Sequence, residues 1–433
     1  MLIIIHSETN RHTIAQNLGR SEYSYYFVLK EYRPVLERIG RVVEVADPQT
    51  EVDALYLECL SRGEPCVFLS FSPPHRTPVH LACPTLPVFA WEFSTIPNEA
   101  FAGEPRNDWR SVLHACGAAI THSSYTVNAV HEAMGAEYPI VAVPAPVWDR
   151  FAARGAKMPE QALATAYSLT IKGLVADSRT LNLNAFGPAH LRSGNGIDFA
   201  APASEQTLVL DGVVYTSVFN PGDGRKNWED MLSAFCVSFR DVEDATLVLK
   251  LTHHDAEEAL SDILHHLYKN QSYRCRIVLI YGYLADPDYE QLVQATRYVV
   301  NTSYGEGQCL PLMEFMSCGK PAVAPRTTAM IDYLSTENAF LIESTDELTA
   351  WPHDPRKAFR TLRYVTNWSS LCEAYRASYD VAKNQPQRYA EMSAQAVVSL
   401  QAFCSQTVAE QRLRGFLTQL FEHRAAALEA PQA

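Results

Sequence analysis

The sequence predicts an α/β protein built as two units, each a mainly parallel sheet flanked by helices. Three observations carry that prediction. The chain has 433 residues, enough for two units of ordinary size. Short apolar runs followed by amphipathic stretches recur along most of its length. One segment, Tyr298 to Leu334, reads as a complete strand–loop–helix–strand unit.

The first unit is expected over residues 1–151. Leu2 to Ile5 is its first strand, and the loop Asn10 to Ser24, with Gly19, Arg20 and Glu22, leads into an amphipathic helix ending at Ile39. Arg41 to Val45 is a second strand and Asp53 to Arg62 a helix. Pro65 to Ser70 is the next strand and runs into Pro73-Pro74-His75. Pro87 to Ala90 leads to Trp91-Glu92, and Ala118 to Thr121 leads to His122 and a helix ending near Gly135. Ile140 to Val143 closes the set.

Residues 152–206 break this rhythm. They are rich in Ala, Ser, Gly and Asn, show no strong alternation, and are expected to form an interdomain connection with some helix. The second unit is expected over residues 207–395, with strands at Val213 to Phe219, Ala245 to Lys250 and Arg276 to Ile280. Asp288 to Ala295 is helical, and Tyr298-Val299-Val300 is a buried strand. Pro311 then opens a helix at a position where its missing N–H costs nothing. Leu312, Met313, Phe315 and Met316 give that helix an apolar face, and Gly319-Lys320-Pro321 stops it. Beyond residue 350 helices are expected over Pro355 to Val365, Ser370 to Ala382 and Arg388 to about Arg424. Residues 396–433 are expected to be a C-terminal helix with a frayed tail from Ala425.

Composition excludes several classes. With 36 basic against 49 acidic residues the net charge is −13, which argues against a nucleic-acid partner. No run approaches the roughly 18–20 apolar residues of a membrane span. The opening MLIIIHSET lacks a basic segment and reads as a core strand, not a signal peptide. Ten cysteines without C-x-x-C spacing read as reduced, buried thiols, and so as a cytoplasmic protein with at most peripheral membrane contact.

In doubly wound sheets ligands gather beyond the C-terminal ends of the strands, and several loops there carry chemistry. Asn220 to Trp228 places Arg225 and Lys226 in a glycine-containing turn before a helix. That pair suits a diphosphate clamp, and its plain alternative is a solvated surface pair. Asn301 to Gln308 brings backbone N–H groups to a helix N-terminus, a ready anion site. Glu306 and Glu314 flank it. Two acids repel a bare phosphate but suit a ligand with a diphosphate at one end and hydroxyls at the other. The alternative is a solvated loop acid and a surface helix residue.

In the first unit, His75, Glu92 and His122 fall at strand ends, as does the cluster Arg106 to Trp109. Each lone histidine reads more readily as a hydrogen-bonded structural residue than as a functional one. Glu92 is different, because an acid following an apolar strand is costly unless satisfied or used. His253-His254-Asp255 is a histidine cluster that falls at a strand end. Successive residues at a strand end point to opposite faces, so no metal site is expected there.

The pattern E-G-x-x-L-P-x-x-E from Glu306 to Glu314, followed by F-M-S-C-G-K-P, resembles the donor-binding signature of retaining glycosyltransferases of family 4. The Arg225-Lys226-Asn227 segment and the loop Tyr281-Gly282-Tyr283-Leu284 resemble that family too, and Trp91-Glu92 resembles a segment of its mannosyltransferase-like members. The likeness covers about residues 207–345 well, and the first half by layout. It implies the GT-B fold: two Rossmann-like domains facing across a cleft, with a C-terminal helix crossing back to the first. It implies donor phosphates at Arg225 and Lys226, donor sugar at Glu306, and ribose hydroxyls at Glu314. The backbone of Gly307, Gln308, Cys309 and Leu310 would approach the sugar and phosphates, and Tyr283 and Leu284 would read the base. Gln308-Cys309 departs from the usual aromatic and glycine.

The resemblance implies a metal-independent, retaining hexosyltransferase with no cofactor. Its donor would be a nucleotide-diphosphate sugar, with GDP-mannose preferred. Its acceptor would be a glycan or lipid-linked intermediate of bacterial surface polysaccharide or glycolipid synthesis, held near Glu92, His75 and His122. A nucleotide-sugar epimerase on the same architecture, and a non-catalytic nucleotide or glycan binder, are the alternatives.

Overall fold

The structure, a computed structural model, describes residues 1–10, 13–14, 19, 22–155, 166–199, 204–352 and 354–429. Arg20, parts of the expected connection (156–165 and 200–203) and the last four residues of the expected tail lie outside them.

The first sheet has six parallel strands in the order β2-β1-β3-β4-β5-β6. They are β1 (Leu2–His6), β2 (Arg41–Glu44), β3 (Cys66–Phe71), β4 (Thr85–Phe89), β5 (Ala119–Thr121) and β6 (Ile140–Ala142). Unbroken apolar runs suit strands covered on both faces. Ile3 and Ile5 enter one core cluster while Leu2 and Ile4 enter another. Helices α1 (Ser24–Ile39), α2 (Pro48–Ser61), α3 (Trp109–Cys116) and α4 (Ser124–Met134) connect them. The loops after β1 and β3 emerge on either side of the point where strand order reverses.

The expected connection is more ordered than its composition suggests. After α5 (Trp148–Gly155), strands β7 (Tyr167–Asp177) and β8 (Ser204–Leu210) form an antiparallel pair. The reason is alternation: Leu169 and Ile171 are buried, while Thr170 between them and Ser168 and Lys172 on either side are exposed. β7 then pairs with β11 (Arg276–Tyr281), so the second sheet gains an antiparallel edge.

The second sheet runs β14-β13-β12-β9-β10-β11-β7-β8. β9 (Val213–Phe219), β10 (Ala245–Leu251), β11, β12 (Tyr298–Val300), β13 (Ala322–Pro325) and β14 (Ala339–Ile342) are parallel. Counted from β9 this is the order 3-2-1-4-5-6 of a dinucleotide-binding sheet, with its reversal between β9 and β12. Helices α6 (Trp228–Ser238), α7 (Ala256–Lys269), α8 (Asp286–Ala295) and α9 (Leu310–Ser317) follow the strands.

One expectation fails outright. Pro355 to Val365 is not a helix; β15 (Ser344–Ala350) and β16 (Arg360–Thr366) form an antiparallel hairpin. Pro355 sits in its turn, where the Asp354 carboxylate accepts from the amides of Arg356, Ala358 and Phe359 and closes the loop. The hairpin reaches the first half: Thr95 Oγ1 donates to Arg360 O at 2.9 Å, and Leu362 N donates to Ser94 Oγ at 3.0 Å.

The C-terminal region is three helices, α10 (Trp368–Asn384), α11 (Pro386–Cys404) and α12 (Gln406–Glu429), broken at Ser405. α12 crosses back onto α1 and β6 of the first half. Leu413 and Leu417 are buried there, Arg412 Nη1 donates to Ala142 O at 3.1 Å, and Arg38 pairs with Glu410. Among the described residues no helix is long and apolar enough to cross a membrane.

Candidate active site

The strand order of the second sheet places two loops side by side. Residues 220–227 follow β9 and residues 301–309 follow β12, the two strands flanking the reversal. Hydrogen bonds join the loops: Tyr304 N donates to Arg225 O at 2.8 Å, and Thr302 Oγ1 to Asn227 O at 2.9 Å. Asp223 caps its own turn by accepting from Arg225 N at 3.2 Å.

Five charged groups converge here. Lys226 Nζ lies 2.7 Å from Glu306 Oε1, which also accepts from Asn301 Nδ2 at 2.9 Å and Ser303 Oγ at 2.7 Å. Arg225 pairs with Asp223 at 2.8 Å and with Glu92 of the first half at 3.2 Å, and stands 3.8 Å from Glu306. Its Nη1 donates to Gly305 O at 2.9 Å. Burial pushes the Glu306 carboxyl up, but Lys226 and Arg225 outweigh it and hold the group below its ordinary value. Burial opposes the Lys226 charge, and Glu306 more than restores it. Glu92 goes the other way: burial raises it, and Arg225 offsets only part of the rise. Neither solvated alternative holds for Arg225-Lys226 or for Glu306.

The two halves touch at this point. A Cβ on Gly305 would stand 2.8 Å from Glu92 O, and one on Gly307 would stand 2.9 Å from Ala90 Cβ, so only glycine fits this close approach. Gln308 Oε1 accepts from Ala145 N of the first half at 2.6 Å. Cys309 caps α9 in the left-handed region with φ of 64°, the conformation for which the resembled glycine is suited. Leu310 begins α9, whose first-turn N–H groups face the loop.

Glu314 lies half-buried on α9 and accepts from Tyr289 Oη at 2.7 Å. Burial pushes its carboxyl up to about 7. Around it a second charged group ties the halves together: Arg150 pairs with the buried Glu31 of α1 and, at 2.7 Å, with Asp286 at the start of α8, while Arg154 pairs with Glu290 at 2.9 Å. Tyr283 is exposed and Leu284 buried at the end of β11. Beside them β7 packs so closely that a Cβ on Gly173 would stand 2.3 Å from Tyr281 O. Sequence reasoning missed Asp223, Asn301, Ser303, Tyr289 and Arg150. Asp223 and Asn301 were legible as turn residues; nothing local marks the others.

The first-half candidates sit apart from this network. His122 is wholly enclosed, with Nδ1 2.9 Å from Val143 O, and burial lowers it to about 4. His75 stacks on Trp109 with centroids 6.0 Å apart, and burial lowers it to about 4 as well. Trp109 in turn packs against Trp91, and Trp91 against Trp351 beside the hairpin. Arg106 and Asp108 serve turns and caps around α3. Of the first-half candidates Glu92 alone meets the charged cluster.

The expectation that His253 and His254 point apart rests on a strand that has already ended. β10 stops at Leu251, and in the loop beyond it the two imidazoles lie side by side with centroids 4.3 Å apart.

The family model for glycosyl transferases group 1 matches residues 213–351, which hold both loops and α9. Solved structures share the whole fold at low identity. A glycosyltransferase from Rickettsia africae has a TM-score of 0.55 at 10% identity, over 97% of this chain and 98% of that one. Sucrose-phosphate synthase from Thermosynechococcus elongatus has 0.54 at 13%, over 98% and 100%. Anabaena HepE in complex with UDP and glucose has 0.52 at 11%, over 97% and 100%. The chain spans 55% of the S. aureus TarM chain and 59% of the pneumococcal GtfA chain. No curated protein matches it by sequence. Residues 213–351 thus match the glycosyl transferases group 1, and the chain's two sheets and crossing C-terminal helix are the GT-B fold.

Proposed function

We propose that the chain is a retaining glycosyltransferase that moves a hexosyl group from a nucleotide-diphosphate sugar to an acceptor hydroxyl. The observation that carries this reading is the meeting of Arg225, Lys226 and Glu306 at the reversal of the second sheet, opposite Glu92 of the first. Charges this enclosed persist through mutual pairing, and a diphosphate can take over the two cations from their carboxylates. Arg225, Lys226 and the α9 N-terminus would stabilise the leaving diphosphate. Glu306, released by Lys226, would accept from sugar hydroxyls, and Glu314 from ribose hydroxyls. Gly307, Gln308, Cys309 and Leu310 would line the sugar and phosphates, and Tyr283 and Leu284 the base. Because Gly305 and Gly307 press on Ala90 to Glu92, donor entry requires the halves to part, and their return excludes water.

Retention in this reading needs no covalent carboxylate intermediate. The departing phosphate oxygen takes the acceptor proton on the face it leaves. Glu92, His75 and His122 belong to the acceptor half, with Glu92 the one positioned beside the donor cluster. GDP-mannose is the preferred donor on the Trp91-Glu92 and Arg225-Lys226-Asn227 resemblance. UDP-glucose is its natural comparator, since the structurally similar HepE is solved with UDP and glucose. The acceptor is a glycan or lipid-linked intermediate of bacterial surface polysaccharide or glycolipid synthesis, reached from the cytoplasmic side of the membrane.

The test is incubation with GDP-mannose, UDP-glucose, ADP-glucose and dTDP-glucose, reading nucleoside diphosphate release and, by proton NMR, the anomer of the product. Release from one donor with the α configuration kept is expected. An inverted product would sink the retaining mechanism, and no release from any donor, with or without glycan acceptors, would sink the transferase reading.

A further inference from the structure

We propose a divalent transition-metal site formed by His253, His254 and Glu258, in the turn between β10 and α7. The turn is built by ordinary capping. Asp255 stands at the N-cap of α7, and its side chain accepts from Glu258 N at 2.8 Å, which fixes the first turn of the helix against the preceding loop. Glu258 therefore comes to face the residues that leave β10. Its Oε1 lies 3.9 Å from His253 Nε2, and one ligand-type atom from each of the three residues lies within 4.8 Å of the others. Small side-chain rotations bring such a set onto one ion.

Three features go beyond a chance grouping. His253 is buried at 6% exposure, whereas His254 and Glu258 are exposed, so a fixed imidazole forms the floor of a site open to solvent. His253 Nδ1 lies 3.0 Å from the carbonyl and 3.1 Å from the amide of Asp255. A cation on Nε2 selects the tautomer whose Nδ1–H donates to that carbonyl, the backing that metal-bound histidines use. Finally, Gly222 leaves the space beside Nε2 free: a Cβ there would stand 3.3 Å from that atom.

Two imidazole nitrogens and one carboxylate oxygen suit zinc, cobalt or nickel in preference to magnesium or calcium. The remaining coordination positions would be taken by water. The site lies on the seam between the halves, because Gly19 of the first-half loop packs on Thr252 and His253, and Asn220 Nδ2 donates to Gly19 O at 2.8 Å. A bound cation would stiffen the turn after β10, which packs against Gly222 of the loop that carries Arg225. This does not depend on the donor reading.

The experiment is titration of the full chain with Co²⁺, followed by visible absorption, and with Zn²⁺, followed by calorimetry. The variants are His254→Ala and Glu258→Gln, both at exposed positions, with His190→Ala as a control histidine elsewhere. The expected result is one equivalent bound per wild-type chain. Affinity should fall at least tenfold in His254→Ala and in Glu258→Gln and stay unchanged in His190→Ala. Absence of uptake by the wild type, or equal uptake by all four proteins, overturns the proposal. Loss in His254→Ala with none in Glu258→Gln removes the carboxylate and overturns the three-ligand assignment.

Discussion

The strand-end loops of the two sheets have opposite characters. In the first half His75 and His122 are neutral imidazoles enclosed by aromatic rings and backbone, lowered to about 4 by burial. In the second half Arg225, Lys226, Asp223 and Glu306 are comparably enclosed yet stay charged, because each faces an opposite charge within a few ångströms. Burial alone neutralises a group; burial with partners keeps it ionised. The first crevice is thus built to present shape, and the second to present charge. Glu92 belongs to the first by sequence and to the second by contact.

The largest way to break that contrast is Lys226→Met. It leaves Glu306 enclosed with Arg225 at 3.8 Å as its nearest cation, and should cost about 3–5 kcal/mol in urea unfolding at pH 7. His75→Gln at the same pH removes a ring contact with Trp109 and no charge, so it should cost only about 0.5–1.5 kcal/mol. Equal losses would erase the distinction between the crevices.

Acid and base responses sharpen it. His122 is neutral when folded and takes up a proton only on unfolding. Its contribution is fully present above its ordinary value of 6.5 and is lost as pH falls toward about 4, roughly 3 kcal/mol in all. Glu314 keeps its proton on folding, so its contribution is full below 4.5 and lost as pH rises to about 7, by about 2–3 kcal/mol. The slopes are opposite over the shared window. Stability measured across pH 4 to 8 should therefore steepen its acid loss in Glu314→Gln and soften it in His122→Asn. The smallest effect is expected from Cys309→Gly, which relieves a left-handed backbone and should stabilise by up to about 1 kcal/mol in the same assay.

Much of this was legible in the sequence. The strands of the first sheet, β9 to β13 of the second and the loop before Pro311 followed from apolar runs and turn residues, and motif spacing singled out Arg225, Lys226 and Glu306 without showing that they pair. The misreadings have physical causes. The alternation Ser168-Leu169-Thr170-Ile171-Lys172 is short, and Gly173-Leu174-Val175-Ala176 after it breaks the period of two, so β7 was missed. Pro355 was read as a helix start because a proline after an acid suits both a first helical turn and an Asp-closed hairpin loop. Cross-domain contacts, such as Arg150 with Glu31 and Asp286 or Gln308 with Ala145, depend on tertiary placement that no local pattern encodes.

The most direct test of the charged crevice as the donor site is calorimetric titration of GDP and UDP into the wild type, Arg225→Ala and His75→Gln. The account predicts that at least one nucleotide binds the wild type, that Arg225→Ala loses tenfold or more in affinity, and that His75→Gln binds as the wild type does. Unchanged binding by Arg225→Ala, or no binding by the wild type, would contradict it.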